Sequence, residues 1–443
     1  MLLDIGLPVL KRKWLAPLIF FEFYLGLSIL LFFFGPWPWE VDNSALLVAY
    51  LVTAQIFILF GYLLAWRHIR LTHSTVDSEM RARQIDTGVV FLKRALVVTL
   101  IMFIPTSLSR TGEIFPDILN GLNNTGGSYN ENFERLTNGN LFVIVEYLRM
   151  FFSMSLVGLY PLTVVYWAKL SRKIRILCLT AIVLNLAIYF AVGVNKGIAD
   201  FVVTLPWLIF LSVSTGILKP RINSKSLLIL FIAIFIIFLQ FFGKGQLERE
   251  GGVGENGVMG VGAGIILADS SNVISQLLER NDQIIYESIT RYLGTGYFAL
   301  SETFEIEHSS TLGFGNSMFL ARNANAILDT KYFTNNSLPG LLEEKIGFGM
   351  FRLWHSIYPW LASDFGFIGT LFIMGLFAYL FALSWGKSLV TLSPKWIVLC
   401  FLMFILFYYI PANNQIFQSG ESCLAFVFLV LGILLRKFQA HLK

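Results

Sequence analysis

The stretch FRLWHSIYPWLASDFGFIGTLF, residues 351 to 372, gathers four reactive side chains at the edge of a long apolar run: Arg352, His355, Tyr358 and Asp364. A guanidinium binds phosphate oxygens through paired donors in a fork. An imidazole titrates near neutral pH and can shuttle a proton. His355 equally reads as an interfacial residue flanked by Trp354 and Tyr358. Arg352 and His355 are three residues apart, so on a helix they would share a face. Asp364-Phe365-Gly366 is not a kinase motif, since no glycine loop, catalytic-loop pattern or soluble domain accompanies it. The simpler expectation is that Asp364 caps the helix that follows, its acid near the positive end of the helix dipole. Gly366 and Gly369 would then allow close helix packing.

Other cations share that setting. Lys196 stands in the turn GVNKG, Lys244 directly follows an apolar run, and Arg291 sits in TRYLGTGYF. With Arg352, and Arg322 as a further candidate, they are expected at a membrane–water boundary. There they suit a lipid-linked diphosphate. Taken singly, each also reads as an interfacial anchor whose stem snorkels. Tyr292, Tyr297, Trp354 and Tyr358 offer faces on which sugar rings stack, although interfacial belts use the same residue types. Inside apolar runs, Glu22, Glu146, Arg149 and Asp200 each cost about 2.5–3.5 kcal/mol to insert, so each is a functional candidate. Glu146 and Arg149, at i and i+3, are placed to pair with each other.

The elements that must position these groups follow from composition. Of 443 residues, 56% are hydrophobic and only 14% charged, and mean hydropathy is +0.68. Soluble domains carry roughly 25% charge. Ten apolar runs are long enough to span, at about 14–36, 44–66, 88–108, 141–168, 176–194, 198–216, 227–243, 365–386, 396–411 and 420–435. The expected fold is an all-α polytopic membrane protein with about 10 transmembrane helices (10–12). It divides into a bundle over 1–243 with an outer loop at 109–140, a large outer loop over 244–364, and C-terminal spans over 365–443. With both termini in the cytoplasm, the inner segments carry 21 of the 33 basic residues and four of the 28 acidic ones, net +17; the remainder is net −12. The formal charge of +5 therefore reports topology under the positive-inside rule, and implies no nucleic-acid partner. Lys11, Arg12 and Lys13 precede a run that spans, with no cleavage pattern after it. Cys178, Cys400 and Cys423 give neither metal spacing nor a disulfide framework. The large loop begins glycine-rich, and its middle has helical periodicity near 267–293.

The order of features resembles the Wzy-type O-antigen polymerases, or oligosaccharide repeat unit polymerases. IYPWLASDFGFIGTLFIMGLFAYLF (357 to 381) carries the resemblance, supported by YLGTGYFALSETFE (292 to 305), GVNKGIADF (193 to 201) and the Asn- and Gly-rich 118 to 130. Relatives often carry Arg where this chain has Lys196. The resemblance implies a site facing the periplasm of the bacterial inner membrane. There a glycan is transferred from its undecaprenyl diphosphate to the non-reducing end of a new lipid-linked repeat unit. Neither metal nor cofactor is implied, and a chain-length regulator protein is a candidate partner. Arg291, Arg352 and His355 would be catalytic, with Lys196, Lys244 and Arg322 helping hold the diphosphate. Glu302, Glu305 or Asp364 are rival bases. An O-antigen ligase has a similar layout. A flippase or transporter would favour charge within a central cavity, and a scaffold would not need so many interfacial cations.

Overall fold

In hydrocarbon every backbone N–H and C=O must be bonded within its own segment, which leaves these runs the helix. The computed structural model describes residues 6–137, 143–219, 224–248, 258–261 and 264–441. The chain opens with α1 (Leu7–Phe34), α2 (Ser44–Leu64), its amphipathic continuation α3 (Trp66–Thr75), and α4 (Ser78–Thr111). Two short helices follow, α5 (Ile118–Asn123) and α6 (Thr125–Thr137). Next come α7 (Val143–Phe151), α8 (Ser153–Val165), α9 (Arg172–Ala191), α10 (Asn195–Ser214) and α11 (Ser224–Glu248). The segment between α11 and the three closing helices holds β1 (Val258–Val261), β2 (Gly264–Leu267), α12 (Val273–Leu277), α13 (Arg280–Thr303), α14 (Met318–Ile327), α15 (Tyr332–Asn335) and α16 (Leu338–Ile346). The chain closes with α17 (Ile357–Thr391), α18 (Pro394–Tyr408) and α19 (Gly420–His441).

Each of the ten apolar runs falls on a helix. Among the described residues, six helices are long and apolar enough to cross a membrane, or seven if α7 and α8, bent by 62°, form one span. α11, α18 and α19 carry shorter apolar stretches. The protein is thus an all-α, multi-pass membrane protein. Local signals set several ends: Asp77 accepts from the Met80 N–H at 2.7 Å to start α4, and Gly112, at φ 81°, ends it in the left-handed region.

The core lies around α18, where every residue from Trp396 to Phe407 is buried. A helix apolar on all faces belongs in the interior, and α18 is enclosed by α4, α8, α10, α17 and α19. Large apolar side chains face outward instead on α1, α2, α4 and α11, among them Phe23, Leu64, Ile101 and Ile237. Such a band would aggregate in water and is satisfied by lipid. α2 and α17 cross where a Cβ on Gly61 would land on the Gly375 carbonyl, so small residues set the approach.

Three expectations are corrected. β1 and β2 pair antiparallel, with Val258 opposite Leu267, where the sequence showed only the glycine-rich start of the large loop. α17 is two helices joined across a kink at Gly366: the second part begins near residue 365 as expected, an additional part runs before it from Ile357, and Asp364 lies at the end of that first part. The Asp364 carboxylate accepts from Thr311 Oγ1, the Gly313 N–H (2.9 Å) and Asn316 Nδ2 (2.9 Å), so it organises the 310–316 loop rather than capping a helix. Gly366 breaks α17 at φ 66°, ψ 171°, and a Cβ there would meet nothing within 4 Å. Its role is conformational, because that region is essentially reserved to glycine. A Cβ on Gly369 would meet only Phe365 of the same helix, so neither glycine serves helix–helix contact.

Candidate functional site

The sequence-predicted residues do not form one cluster. Residues 347–356 are not helical, so Arg352 and His355 share no helix face: Arg352 is exposed and His355 is buried. Only 1% of His355 is accessible, it packs on Phe348 and Trp360, and its Nε2 lies 3.4 Å from the Gly349 carbonyl. Its Nδ1 is buried with no partner. Burial pushes its pKa down to about 4, against a small opposing effect of the Gly349 bond. It is therefore a neutral imidazole at physiological pH. Tyr297 and Tyr358 are fully buried; Tyr297 bonds to Ser28 through its hydroxyl at 2.8 Å. Neither presents a face on which a sugar could stack. Arg322 is exposed, with its guanidinium 5.7 Å from the Phe351 ring centre, beside Arg352 in sequence. Lys244 ends the apolar part of α11, beside α13, but its side chain lies outside the described residues, as does Arg249.

What remains of the predicted set centres on α13. Arg291 is 8% accessible, and no acid partner is found for it among the described residues. Burial lowers its pKa. The next residue, Tyr292, is half-buried and packs on Trp354 (5.3 Å between ring centres) and on Phe242 of α11 (5.0 Å). This aromatic pair, unlike Tyr297 and Tyr358, keeps accessible surface. Glu302, further along α13, is half-buried, and its carboxyl pKa is raised by burial and then by Asp42. Among the rival bases it is the one not tied down: Asp364 is held by three donors, and exposed Glu305 accepts from Asn43 at 2.7 Å.

A second charged cluster was not legible as such. At neighbouring ends of α4, α7, α10 and α19, three cations face three carboxylates. Arg110 grips Glu146 with two bonds (3.2 and 3.0 Å) and reaches Glu421 at 3.3 Å. Arg149 donates to Glu421 at 2.6 Å and to Thr106 at 2.6 Å. Lys196 pairs with Asp200 at 2.8 Å. The expected Glu146–Arg149 pair exists only at 3.9 Å, because both residues are claimed across helices. Arg149, Lys196, Asp200 and Glu421 line a cavity of about 180 Å³ with Tyr160 and Tyr189. The missed partners were Arg110 and Glu421. The available signal was their position: each stands at the outer boundary of an apolar run.

Tyr409, just past α18, lies within electrostatic reach of both Asp200 and Tyr292. Chemically, the arrangement offers a desolvated guanidinium able to take an anionic oxygen, a half-buried aromatic pair beside it, and a lysine whose charge is currently met by an aspartate. No family model, curated protein or solved structure matches the chain.

Proposed function

We propose that the protein is a periplasmic-facing polymerase of undecaprenyl-diphosphate-linked oligosaccharide repeat units. It transfers the growing glycan from its lipid diphosphate to the non-reducing end of a new lipid-linked unit. The observation that carries this reading is Arg291: a guanidinium held out of water with no acid partner is an anion site, and Tyr292 and Trp354 beside it suit a sugar next to a phosphate. Arg291 would stabilise charge developing on the departing diphosphate, with exposed Arg352 and Arg322 as outer contacts. His355 serves here as a buried positioning group, and Glu302 replaces it as the candidate base. The ten crossings divide as the seven spans and three shorter apolar helices, with both termini in the cytoplasm. Cysteine at Met80 should resist external labelling in intact cells while cysteine at Glu344 is labelled; the reverse would sink this topology.

The functional test is complementation of a polymerase-null host with Arg291→Ala and Arg352→Ala. Loss of long chains, with single repeat units retained on the lipid, is the expected result. Loss of all capped lipid would indicate a ligase, and normal chains in both variants would discard the proposed site. The charge-lined cavity favours a second reading, a transporter of lipid-linked saccharide. At about 180 Å³ it is below the roughly 300 Å³ at which ligand pockets begin.

A further inference from the structure

The segment from Gly264 to Leu278 presents an apolar surface that none of the described residues covers. β2 alternates as a strand must. Ile266 packs inward on Trp37 and Trp39, while Ile265 and Leu267 point out, 72% and 60% accessible. In α12, Ser275 is buried, and Val273, Ile274 and Leu277 face outward, with Leu277 81% accessible. Asp269 is the only charged residue between Asn256 and Leu278. It turns its carboxylate on Ser271, taking both the Ser271 N–H (2.8 Å) and hydroxyl (2.6 Å).

This surface is fixed at a definite depth. The Asp269 N–H donates to the Pro36 carbonyl at 2.6 Å, and Asn272 Nδ2 donates to the Phe34 carbonyl at 3.1 Å. Trp37 donates through Nε1 to the Glu287 carbonyl at 3.0 Å, tying the same connection to α13. The segment is therefore pinned to the outer end of α1, where Phe34 is itself 74% accessible. It continues the outward apolar face of a membrane-spanning helix.

We propose that residues 264–278 lie in the outer leaflet of the bilayer, with Ile265, Leu267, Val273 and Leu277 among the acyl chains near the headgroups. The occupant of this face is lipid. Five large apolar side chains on a near-uncharged element, at the level where a spanning helix ends, are what an interfacial element needs. The tryptophans behind it, Trp37 and Trp39, are the residue type that favours that depth. Insertion fixes the α13 end of the outer segment against the membrane. The inference depends only on the membrane-spanning fold and not on the reaction assigned to the protein.

The test uses the full chain in nanodiscs of phosphatidylethanolamine and phosphatidylglycerol. Cys178, Cys400 and Cys423 are all buried, so a thiol-reactive NBD probe can be directed to Ile265→Cys or Leu277→Cys, with Glu344→Cys on exposed α16 as reference. Both substitutions are at outward positions that pack on nothing, so the fold is retained, which monodisperse elution verifies. With doxyl groups in the upper acyl chain, emission at 265 and 277 should fall at least about twofold, and aqueous iodide should quench them far less than position 344. Iodide quenching equal to that at 344, with no effect of doxyl lipid, overturns the proposal. Protection from both quenchers also overturns it, since protein rather than lipid would then cover the face.

Discussion

Two sets of cations withdrawn from water differ in one respect. Arg110, Arg149 and Lys196 each have a carboxylate within 3.3 Å, supplied across helices or from one turn along. Arg291, 8% accessible, has none among the described residues. A buried charge is stable only when it is paired or bonded. The first set therefore reads as structure, holding α4, α7, α10 and α19 in register. Arg291 reads as a group kept at a cost, for a partner that arrives with the substrate. A paired charge raises stability and does little else. An unpaired one lowers stability and waits for an anion.

The sharpest test is Arg291→Met. Removing a preorganised donor should lower chain extension on the order of 10²–10³-fold. Melting of the purified protein should stay constant or rise, because a desolvated cation has been removed. Arg291→Lys should also be impaired, since a point charge replaces the fork. A variant that loses stability and activity together would put Arg291 in the structural set.

Glu421→Gln should give the opposite signature. It leaves Arg149, 6% accessible, facing a neutral amide, and frees one arm of Arg110. Breaking a buried pair costs about 3–5 kcal/mol, and the 18% accessibility of Glu421 points to the lower end. Thermal stability should fall clearly, and adding Arg149→Gln should restore part of it. Failure of the double variant to recover would mean that the pairs do not act as a unit.

His355 provides the pH test of this division. Its folded pKa of about 4 lies below the ordinary 6.5. The unfolded chain takes up a proton that the folded chain refuses, so stability is lost as pH falls from about 6.5 towards 4. The full shift corresponds to about 3 kcal/mol. His355→Phe should flatten that acid limb in melts from pH 4 to 7. It should leave no histidine-like limb missing from the activity profile between pH 5.5 and 8.5. An acid limb of activity near 6.5 that disappears in His355→Gln would return this residue to the role of base.

The helices were legible because a stretch of some twenty apolar residues has few alternatives in lipid; runs 14–36 through 420–435 all fall on helices, of which six or seven among the described residues are long and apolar enough to span. The position of α13 was partly legible from its period. Pairing was not. Glu146 and Arg149 looked like one i,i+3 pair, but an i,i+3 contact is weak, and Arg110 and Glu421, 36 and 275 residues from Glu146, claimed them instead. Spacing also misled at 352–355, where Gly347 at φ 70° ends α16 and the chain turns non-helically into α17. Tyr297 and Tyr358 carried a sugar-binding residue type but are buried. A sequence states which residues can do chemistry, and tertiary packing decides which of them solvent or substrate can reach.

Lys196 belongs to both sets, and the smallest expected effect decides between them. Its side chain is 35% accessible, and its ammonium donates to Asp200 at 2.8 Å. If the pair is only structural, Asp200→Asn should cost the 0.2–1 kcal/mol of a partly exposed ion pair and leave substrate affinity unchanged. If Asp200 occupies the place of a phosphate oxygen, the same variant frees Lys196. KM for lipid-linked repeat units should then fall a few-fold, equivalent to roughly the same 0.2–1 kcal/mol. The second outcome is expected. Tyr409 is influenced electrostatically by both Asp200 and Tyr292, the residue next to Arg291 in sequence. Lys196→Arg should keep binding, because a guanidinium can serve both partners. Unchanged KM in Asp200→Asn, with full activity in Lys196→Ala, would place Lys196 with Arg110 and Arg149, and leave Arg291 as the cation of the site that Arg352 and Arg322 only assist.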